Sequence, residues 1–570
     1  MSVVCKFESA DMTSHVPTNP MSIPILPSSA PFSDDQRAWL NGFFAGLLGL
    51  DSSANTESST RLAETAPAIA IETEDFPWHD ANLPLEERMQ LAEAKPFARQ
   101  LMAAMAQLDC GTCGYLCQTY GEAIAEGRDT DLKKCTPGGG ETMKKLKQLV
   151  ANRPDESAES STLNPTEVAL QPAQIERDQS AKNGLKKPPC AYDKTHPFPA
   201  TVLEVAPLTR KDSAKDVQFV SLDLRGSGLE YEVGDVLGVY PENCGELVEL
   251  LLERLEATGE EPVSTPEGSV VPARIALQKA YVINSCSDEW LQTCSHLASD
   301  PAELSKLAEL AQDDRENYLE SRDVLDILDD FPSVRASNRS EIGQLISSLS
   351  ALRPRLYSIS SSLRAHPEQV HLTIGVVRYE RDGCERTRKG VASTFLSERL
   401  KPGMRAGVFV QQSHGFRPPV NPETPMIMVG PGTGIAPFRA FLQERAATNA
   451  TGKNWLFFGD QREASDFLFR HELIEYSNCG LLTRLDTAFS RDQSEKIYVQ
   501  HRMTQNGMEM WQWLQSGAHF YVCGDARRMA KDVDSALQEI VAEHGKMNAE
   551  DAKSYVAQMA REGRYGRDVY

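Results

Sequence analysis

Four of the twelve cysteines in this chain, Cys110, Cys113, Cys117 and Cys135, fall within one short segment, while Cys5, Cys190, Cys244, Cys286, Cys294, Cys384, Cys479 and Cys523 are scattered. The run Cys110-Gly111-Thr112-Cys113-Gly114-Tyr115-Leu116-Cys117 closes on Cys135-Thr136-Pro137-Gly138. Close thiolates separated by glycine let a backbone curl around inorganic sulfide, and proline after the last cysteine belongs to cluster-binding runs, so these four are candidate ligands of an iron–sulfur cubane. A Cys₄ zinc site is the alternative; its usual form has two separated C-x-x-C pairs. Arg355-Leu356-Tyr357-Ser358 offers a cation, an aromatic face and a hydroxyl within four positions, a set that suits a flavin. Lys389-Gly390-Val391-Ala392-Ser393 reads as a phosphate-cradling turn at a helix start. Met426 to Val429 followed by Gly430, Gly432, Thr433 and Gly434 reads as strand, tight turn and helix start, where backbone N–H groups can approach a pyrophosphate. Further on, Ser490, Arg491 and Lys496 supply a hydroxyl and cations for the 2′-phosphate that distinguishes NADPH from NADH, with Tyr498 able to stack on adenine and Gln500 beside it.

Elements must carry these residues. From the glycine turn onward strands alternate with helices: strands at 454–459, 481–485 and 519–523, helical stretches at 467–476, 503–514 and 526–543. That alternation predicts a parallel sheet whose ligand lies beyond the carboxyl ends of its strands. Residues 201–205, 217–224 and 231–241 are barrel-like β sequence. The stretch from Cys244 to Leu349 is helical in pattern, which predicts a helical insert at 245–350 interrupting a barrel. A helix over 118–126 is expected to turn Tyr120 and Ile124 toward the cysteines.

At 570 residues the chain is too long for one core. The expected division is a largely flexible region 1–86 holding an amphipathic helix at 34–50, a cysteine module at 87–150, a linker at 151–190, a barrel with its insert at 191–420 and a nucleotide-binding domain at 421–570. Trp39, Leu40, Phe43, Phe44, Leu47 and Leu48 share one helical face, which docks either on the protein's own body or on a partner. The net charge of −22, from 59 basic and 81 acidic residues, disfavours nucleic acid and anionic lipid and leaves a basic protein surface as a plausible partner. The longest markedly apolar stretch, Gly42 to Leu50, is far too short to cross a bilayer, so no membrane partner is expected. The first residues lack an export signal, which predicts a cytoplasmic location, where cysteines are not expected to form disulfides.

The cysteine segment resembles the four-cysteine [4Fe–4S] module of electron-transfer subunits and corrinoid iron–sulfur proteins, departing in having three residues between Cys113 and Cys117 where four are more usual. From about residue 197 to Tyr570 the chain resembles the FAD and NADPH module of the sulfite reductase flavoproteins, within the diflavin-reductase and ferredoxin–NADP reductase family. The resemblance rests on Arg355-Leu356-Tyr357-Ser358, Gly390 to Leu396, Gly430 to Arg439, Ser490 to Gln493 with Lys496 to Gln500, Tyr521-Val522-Cys523-Gly524-Asp525, and Arg567-Asp568-Val569-Tyr570.

The resemblance implies a multidomain fold: a small α iron–sulfur module, an antiparallel β-barrel FAD domain with an α-helical insert, and an α/β parallel-sheet NADP-binding domain. It implies that Ser358, Cys523 and Asp568 lie near the hydride path and that Tyr570 covers the isoalloxazine until nicotinamide displaces it. The FMN domain of the family's fuller members has no counterpart in residues 1–190, so FMN is not expected and the cysteine module stands in its place. NADPH, FAD and a [4Fe–4S] cluster are then the expected cofactors, and a sirohaem sulfite reductase is the expected electron acceptor. A nitrate or nitrite reductase is an alternative acceptor, and a zinc-bound docking element on a non-catalytic flavin scaffold is a further alternative.

Overall fold

Six β-rich runs pair into one antiparallel sheet, in the order Arg355–Ser358, Val236–Val239, Arg405–Gln411, Phe198–Pro207, Val217–Asp223 and Gln369–Gly375. A bridge from Ile359 to Leu372 joins the two outer strands, so the sheet closes on itself and loses its exposed edges. Ala200, Val202, Leu222, Leu237, Val239, Leu372 and Val408 point inward and are at most 1% exposed. The computed structural model describes residues 78, 83–107, 115–135, 138–153, 192–310, 318–319, 322–336, 338–381, 384–413, 415–526 and 528–570. The expected helix at 34–50 and two of the four clustered cysteines, Cys110 and Cys113, lie outside them.

Between the strands Val236–Val239 and Arg355–Ser358 the chain leaves the sheet for a helical insert with its own core, which includes Leu251, Trp290, Ile327, Leu328 and Leu345. One tie back to the barrel is ionic. Asp323 caps the helix Val324–Asp330 by accepting from the Asp326 N–H, and both carboxylates meet Arg386 and Arg388 on the hairpin strand Cys384–Lys389. Asp323, Asp326 and Arg388 are all under one-tenth exposed, so the charges are compensated by each other more than by water. Burial raises the Asp326 pKa, but the Asp323 N–H and the two guanidinium groups reverse this and hold it below the ordinary carboxylate value.

The strand–helix alternation of the carboxyl half builds a five-stranded parallel sheet, ordered Arg484–Phe489, Asn454–Asp460, Met426–Val429, His519–Gly524 and Tyr565–Val569. Both faces are covered, as a parallel sheet requires. Ile427, Val429, Trp455, Phe457, Phe520 and Val522 pack on one side with the helix Met529–Gly545. Met426, Met428, Leu456, Phe458, Tyr521 and Cys523 share the other with the helix Ile435–Ala447 and with Val217, Val233 and Phe416 from the barrel half.

The two sheets are also joined by polar contacts. Arg439, 7% exposed, donates to the Ser360 carbonyl at 2.7 Å and to Glu472 at 2.7 Å, and its guanidinium lies 3.2 Å from His371 Nδ1. Burial, then the charges of Arg439 and His366, push the His371 pKa down to about 3. Lys215 reaches Asp460 at 2.5 Å, and the Ser362 N–H donates to Gln443 at 3.0 Å.

Several boundaries differ from the sequence expectation for local reasons. The third parallel strand starts at Arg484, not Leu481, because the Leu481 carbonyl and the Thr483 hydroxyl are taken by the side chain and N–H of Asn454. The helix expected at 503–514 is broken at Asn506 into Val499–Gln505 and Gly507–Gln515, and the stretch 467–476 divides at Phe469, which has a φ of 52°. The helix expected at 526–543 begins at Met529 and not at Ala526, and a further helix, Ala549–Arg561, follows it. Of the expected strand 231–241 only Val236–Val239 pairs, since Gly234, with a φ of 95°, turns the chain first.

Amino-terminal to the barrel, the helices Leu85–Leu91, Phe97–Ala104, Cys117–Ala125 and Gly139–Ala151 share a small core of Leu101, Met102, Tyr120, Ile124 and Leu146. Tyr120 and Ile124 do face Cys117 and Cys135 across it.

Arg388→Met leaves the two insert carboxylates undercompensated and should destabilise the insert by about 3–5 kcal/mol, seen as an earlier calorimetric transition. The depressed Asp326 pKa stabilises the native protein above the unfolded carboxylate pKa, and that contribution is lost as pH falls through the folded value. The variant should lack this acid-sensitive component when melting is followed against pH.

Candidate functional site

Three strands converge on one carboxylate. Ser358 ends a barrel strand, Cys523 lies near the carboxyl end of a central parallel strand, and Asp568 sits on the edge strand in register with Cys523. Ser358 Oγ donates to Asp568 Oδ2 at 2.7 Å, and Cys523 Sγ lies 3.5 Å from the same oxygen. Burial, then the negative charge of Asp568, raises the Cys523 pKa well above its ordinary value, so the group is a thiol donor and not a thiolate. The structure thus brings together the three residues for which the family resemblance implies a place near a hydride path.

Tyr570 is ordered by its backbone: its N–H donates to the Gly524 carbonyl and its carbonyl accepts from the Ala526 N–H, both at 3.1 Å. Its hydroxyl lies 2.8 Å from Thr433 Oγ1, while the residue remains 46% exposed. Composition alone would leave Tyr570 as a frayed end. The strand Tyr565–Val569 that orders it has a readable signal in the alternation Tyr565, Arg567, Val569 against Gly566 and Asp568.

The glycine turn forms as expected, with strand Met426–Val429 leading through a short 3₁₀ turn at Gly432–Gly434 into the helix Ile435–Ala447. A Cβ on Gly434 would sit 2.1 Å from the Cys523 carbonyl oxygen, so only glycine lets the turn lie against the strand that carries the thiol. Gly432 has a φ of 58°, and a Cβ there would stand 3.7 Å from Lys215 Nζ. Sequence reasoning missed Lys215, because its place beside the turn depends on pairing with Asp460 across the two sheets. Burial raises the Asp460 pKa and Lys215 opposes the rise. The cradle, the helix start and a partly exposed ammonium group fit a pyrophosphate.

On the barrel side Gly390 caps the short helix Val391–Thr394, leaving the N–H groups of Val391, Ala392 and Ser393 at its first turn. A Cβ on Gly390 would sit 2.7 Å from Ser393 Oγ, which accepts from the Val377 N–H at 3.1 Å and so holds the loop. Lys389 lies 3.3 Å from Glu398, which partly neutralises it. The neighbouring cleft between barrel and insert is lined by Asn284, Tyr379, Lys389, Val391, Thr394 and Arg399. Arg399 has buried Nε and Nη1 atoms with no hydrogen-bond partner, donors that suit an anion. Tyr379, 51% exposed, is a second residue missed in the sequence. Arg355 and Tyr357 stand with Ser358 on the same strand, where burial raises the Tyr357 pKa and keeps the phenol neutral. These donors and aromatic faces fit a flavin dinucleotide.

Ser490 and Arg491 follow the strand Arg484–Phe489, with their N–H groups on the Asp460 and Gln461 carbonyls. Arg491 and Lys496 are exposed, and neither side chain pairs with a carboxylate among the described residues. Tyr498 is 43% exposed with its ring 5.8 Å from that of His501, and Gln500 donates to Asp532 at 3.1 Å. The two cations are therefore open to a ligand phosphate. Of the four candidate metal ligands, Cys117 and Cys135 are both 9% exposed in one apolar cluster, and Cys117 opens a helix. Soft donors in an apolar shell fit an iron–sulfur cluster. No group of three metal-holding side chains occurs among the described residues.

Residues 190–395 match the FAD binding domain family, and residues 428–535 the oxidoreductase NAD-binding domain family. The chain is similar to the sulfite reductase [NADPH] flavoprotein alpha-component of Bacillus subtilis, 46% identical over 67% of this chain and 62% of the relative. That of Klebsiella pneumoniae is 44% identical over 70% of this chain and 64% of the relative. That of Photobacterium profundum is 39% identical over 80% of this chain and 71% of the relative. The chain thus spans a little under two thirds of the first two relatives. With a closed antiparallel sheet carrying the FAD-family match and a parallel sheet carrying the NAD-family match, the chain belongs to the family of sulfite reductase NADPH flavoprotein alpha-components.

Proposed function

We propose that this chain is the NADPH-dependent flavoprotein subunit of an assimilatory sulfite reductase, delivering electrons to a sirohaem subunit that reduces sulfite to sulfide. The observation that carries the reading is the single carboxylate, Asp568, that accepts from Ser358 of one sheet while its other neighbour is the Cys523 thiol of the other. When bound, FAD would supply conversion of a hydride's two electrons into single electrons, and Cys110, Cys113, Cys117 and Cys135 would hold a [4Fe–4S] cluster that would supply one-electron transfer. Arg355, Tyr357 and the turn Lys389 to Ser393 would hold FAD. Gly430 to Gly434 with Lys215 would hold the NADPH pyrophosphate, and Ser490, Arg491, Lys496, Tyr498 and Gln500 its adenosine 2′-phosphate end.

The residues at the convergence point orient rather than exchange protons with water. Asp568 fixes the Ser358 hydroxyl and the Cys523 thiol in one arrangement, so neither has to reorganise when charge moves past it. Tyr570 closes the pocket from the solvent side and, with its backbone held and its hydroxyl latched on Thr433, has a ring that can give way to nicotinamide. Among the described residues no helix is long and apolar enough to cross a membrane.

Removing both cations by Arg491→Ala and Lys496→Ala should raise KM for NADPH by about tenfold or more, since charge-assisted bonds contribute about 1.5–3 kcal/mol each, and should leave KM for NADH nearly unchanged. Equal changes in steady-state assays with the two nucleotides would count against the assignment. Asp568→Ala should slow flavin reduction in stopped-flow by about 10²-fold, the size of a positional error at a reacting centre. In the wild type the raised Cys523 pKa should leave no thiolate limb in that rate between about pH 6 and 9. Cys113→Ser should preserve flavin bleaching by NADPH yet abolish delivery to a one-electron acceptor protein; survival of delivery would take the cluster off the route.

A further inference from the structure

The cysteine-bearing helices touch the barrel at three separate places. Gln411 Nε2 lies 3.5 Å from Thr119 Oγ1, Arg353 lies 3.7 Å from Asp131, and Lys194 Nζ stands 3.2 Å from the centre of the Tyr115 ring. Tyr240 donates to the Lys194 carbonyl, which ties this last contact to the end of a barrel strand. Tyr115 in turn stacks on Tyr120, with ring centres 5.5 Å apart. Thr119 and Tyr115 flank Cys117 in sequence, so the contacts gather around the start of the cysteine helix.

The sheet register gives these contacts a direction. Gln411 is paired with Val236, and Val236 with Ser358. Directly opposed residues of antiparallel strands place their side chains on the same face. Leu237, Val239 and Val408 fill the barrel core, so the row Gln411, Val236, Ser358 belongs to the opposite, outer face. Neighbouring strands are about 4.8 Å apart, which puts Gln411 roughly 10 Å from Ser358 across one intervening strand. The helix that begins with Cys117 is therefore seated on the same face as the hydroxyl held by Asp568.

We propose that residues 115–135 of the cysteine module, with Cys117 and Cys135, are held on this face as the electron exit of the chain, acting in cis and without a domain excursion, with Lys194, Arg353 and Gln411 as the docking residues. The inference rests on the functional reading above. One NADPH supplies two electrons with its hydride; each passage takes one electron from the flavin and reduces one oxidised cluster by one. That electron leaves to a one-electron acceptor protein before the second follows, and the hydride's proton goes to solvent. No contact is strong alone, since the Arg353–Asp131 pair is partly exposed. Their spread over three chain segments fixes orientation rather than supplying large affinity.

The test uses the intact holoenzyme, in anaerobic single-turnover stopped flow after mixing with NADPH. Cluster reduction should be first order and independent of protein concentration. Gln411→Trp, which wedges the contact without touching a cysteine or a nucleotide-binding residue, should slow that step by roughly tenfold while leaving flavin reduction unchanged, in line with couplings between contacting residues. It should also raise hydrogen exchange in the segments 117–125 and 405–411. Asp131→Arg should act in the same direction, and the swap Asp131→Arg with Arg353→Asp should recover both readouts. Iron present but reduced only in a concentration-dependent step, or a wedge that alters neither rate nor exchange, overturns the in cis exit while sparing the functional reading. Absence of iron from protein that still binds FAD overturns that reading, and the exit with it.

Discussion

The Asp568 carboxylate, carried beside Cys523 on the parallel sheet, reaches Ser358 of the barrel sheet only if the two sheets are held at a fixed distance. A shift of one ångström between them would break the Ser358–Asp568 hydrogen bond and leave the Cys523 contact in place, and much of the structure between them opposes such a shift. Cys523 lies on the face of the parallel sheet that packs against Phe416, Val217 and Val233, so apolar burial sets the approach. Arg439 sets the angle, because its planar guanidinium must meet the Ser360 carbonyl and Glu472 at once. Lys215 and Asp460 repeat the device at the glycine turn. Gly434 then removes the last obstacle by having no side chain where the Cys523 carbonyl passes.

Much of the carboxyl half was legible in the sequence because its signals are local. The glycine turn, the strand before it and the helix after it follow from backbone sterics within a few residues of one another. The Ser358, Cys523 and Asp568 constellation was named only through a family likeness, since nothing in periodicity joins positions so far apart in sequence. Lys215 and Tyr379 escaped for the same reason: each acquires its position from a partner on another segment. Boundary errors were of a different kind. Leu481 looks like a strand residue by composition, yet the Asn454 side chain claims its carbonyl, a contact that no window along the chain can contain.

The amino half is read from a different kind of pattern, in which spacing of reactive atoms says more than hydrophobic period. Tyr120 and Ile124 were expected to turn toward the cysteines, and their shared burial with Cys117 and Cys135 agrees with this. The helical insert shows how a tertiary tie replaces sequence proximity: Asp323 both begins a helix and anchors to Arg386 and Arg388, so a local cap doubles as a long-range contact.

The neutral state of His371 bears on turnover. Under the proposed function, nucleotide oxidation and one-electron discharge would shift protons into and out of the surrounding solvent, and an imidazole of ordinary basicity at the seam between the sheets would gain and lose charge with them. Held near 3, this ring keeps Arg439 opposite the same neutral neighbour throughout the neutral range. The spacing on which the Ser358–Asp568 bond depends is thereby insulated from changes of acidity around it.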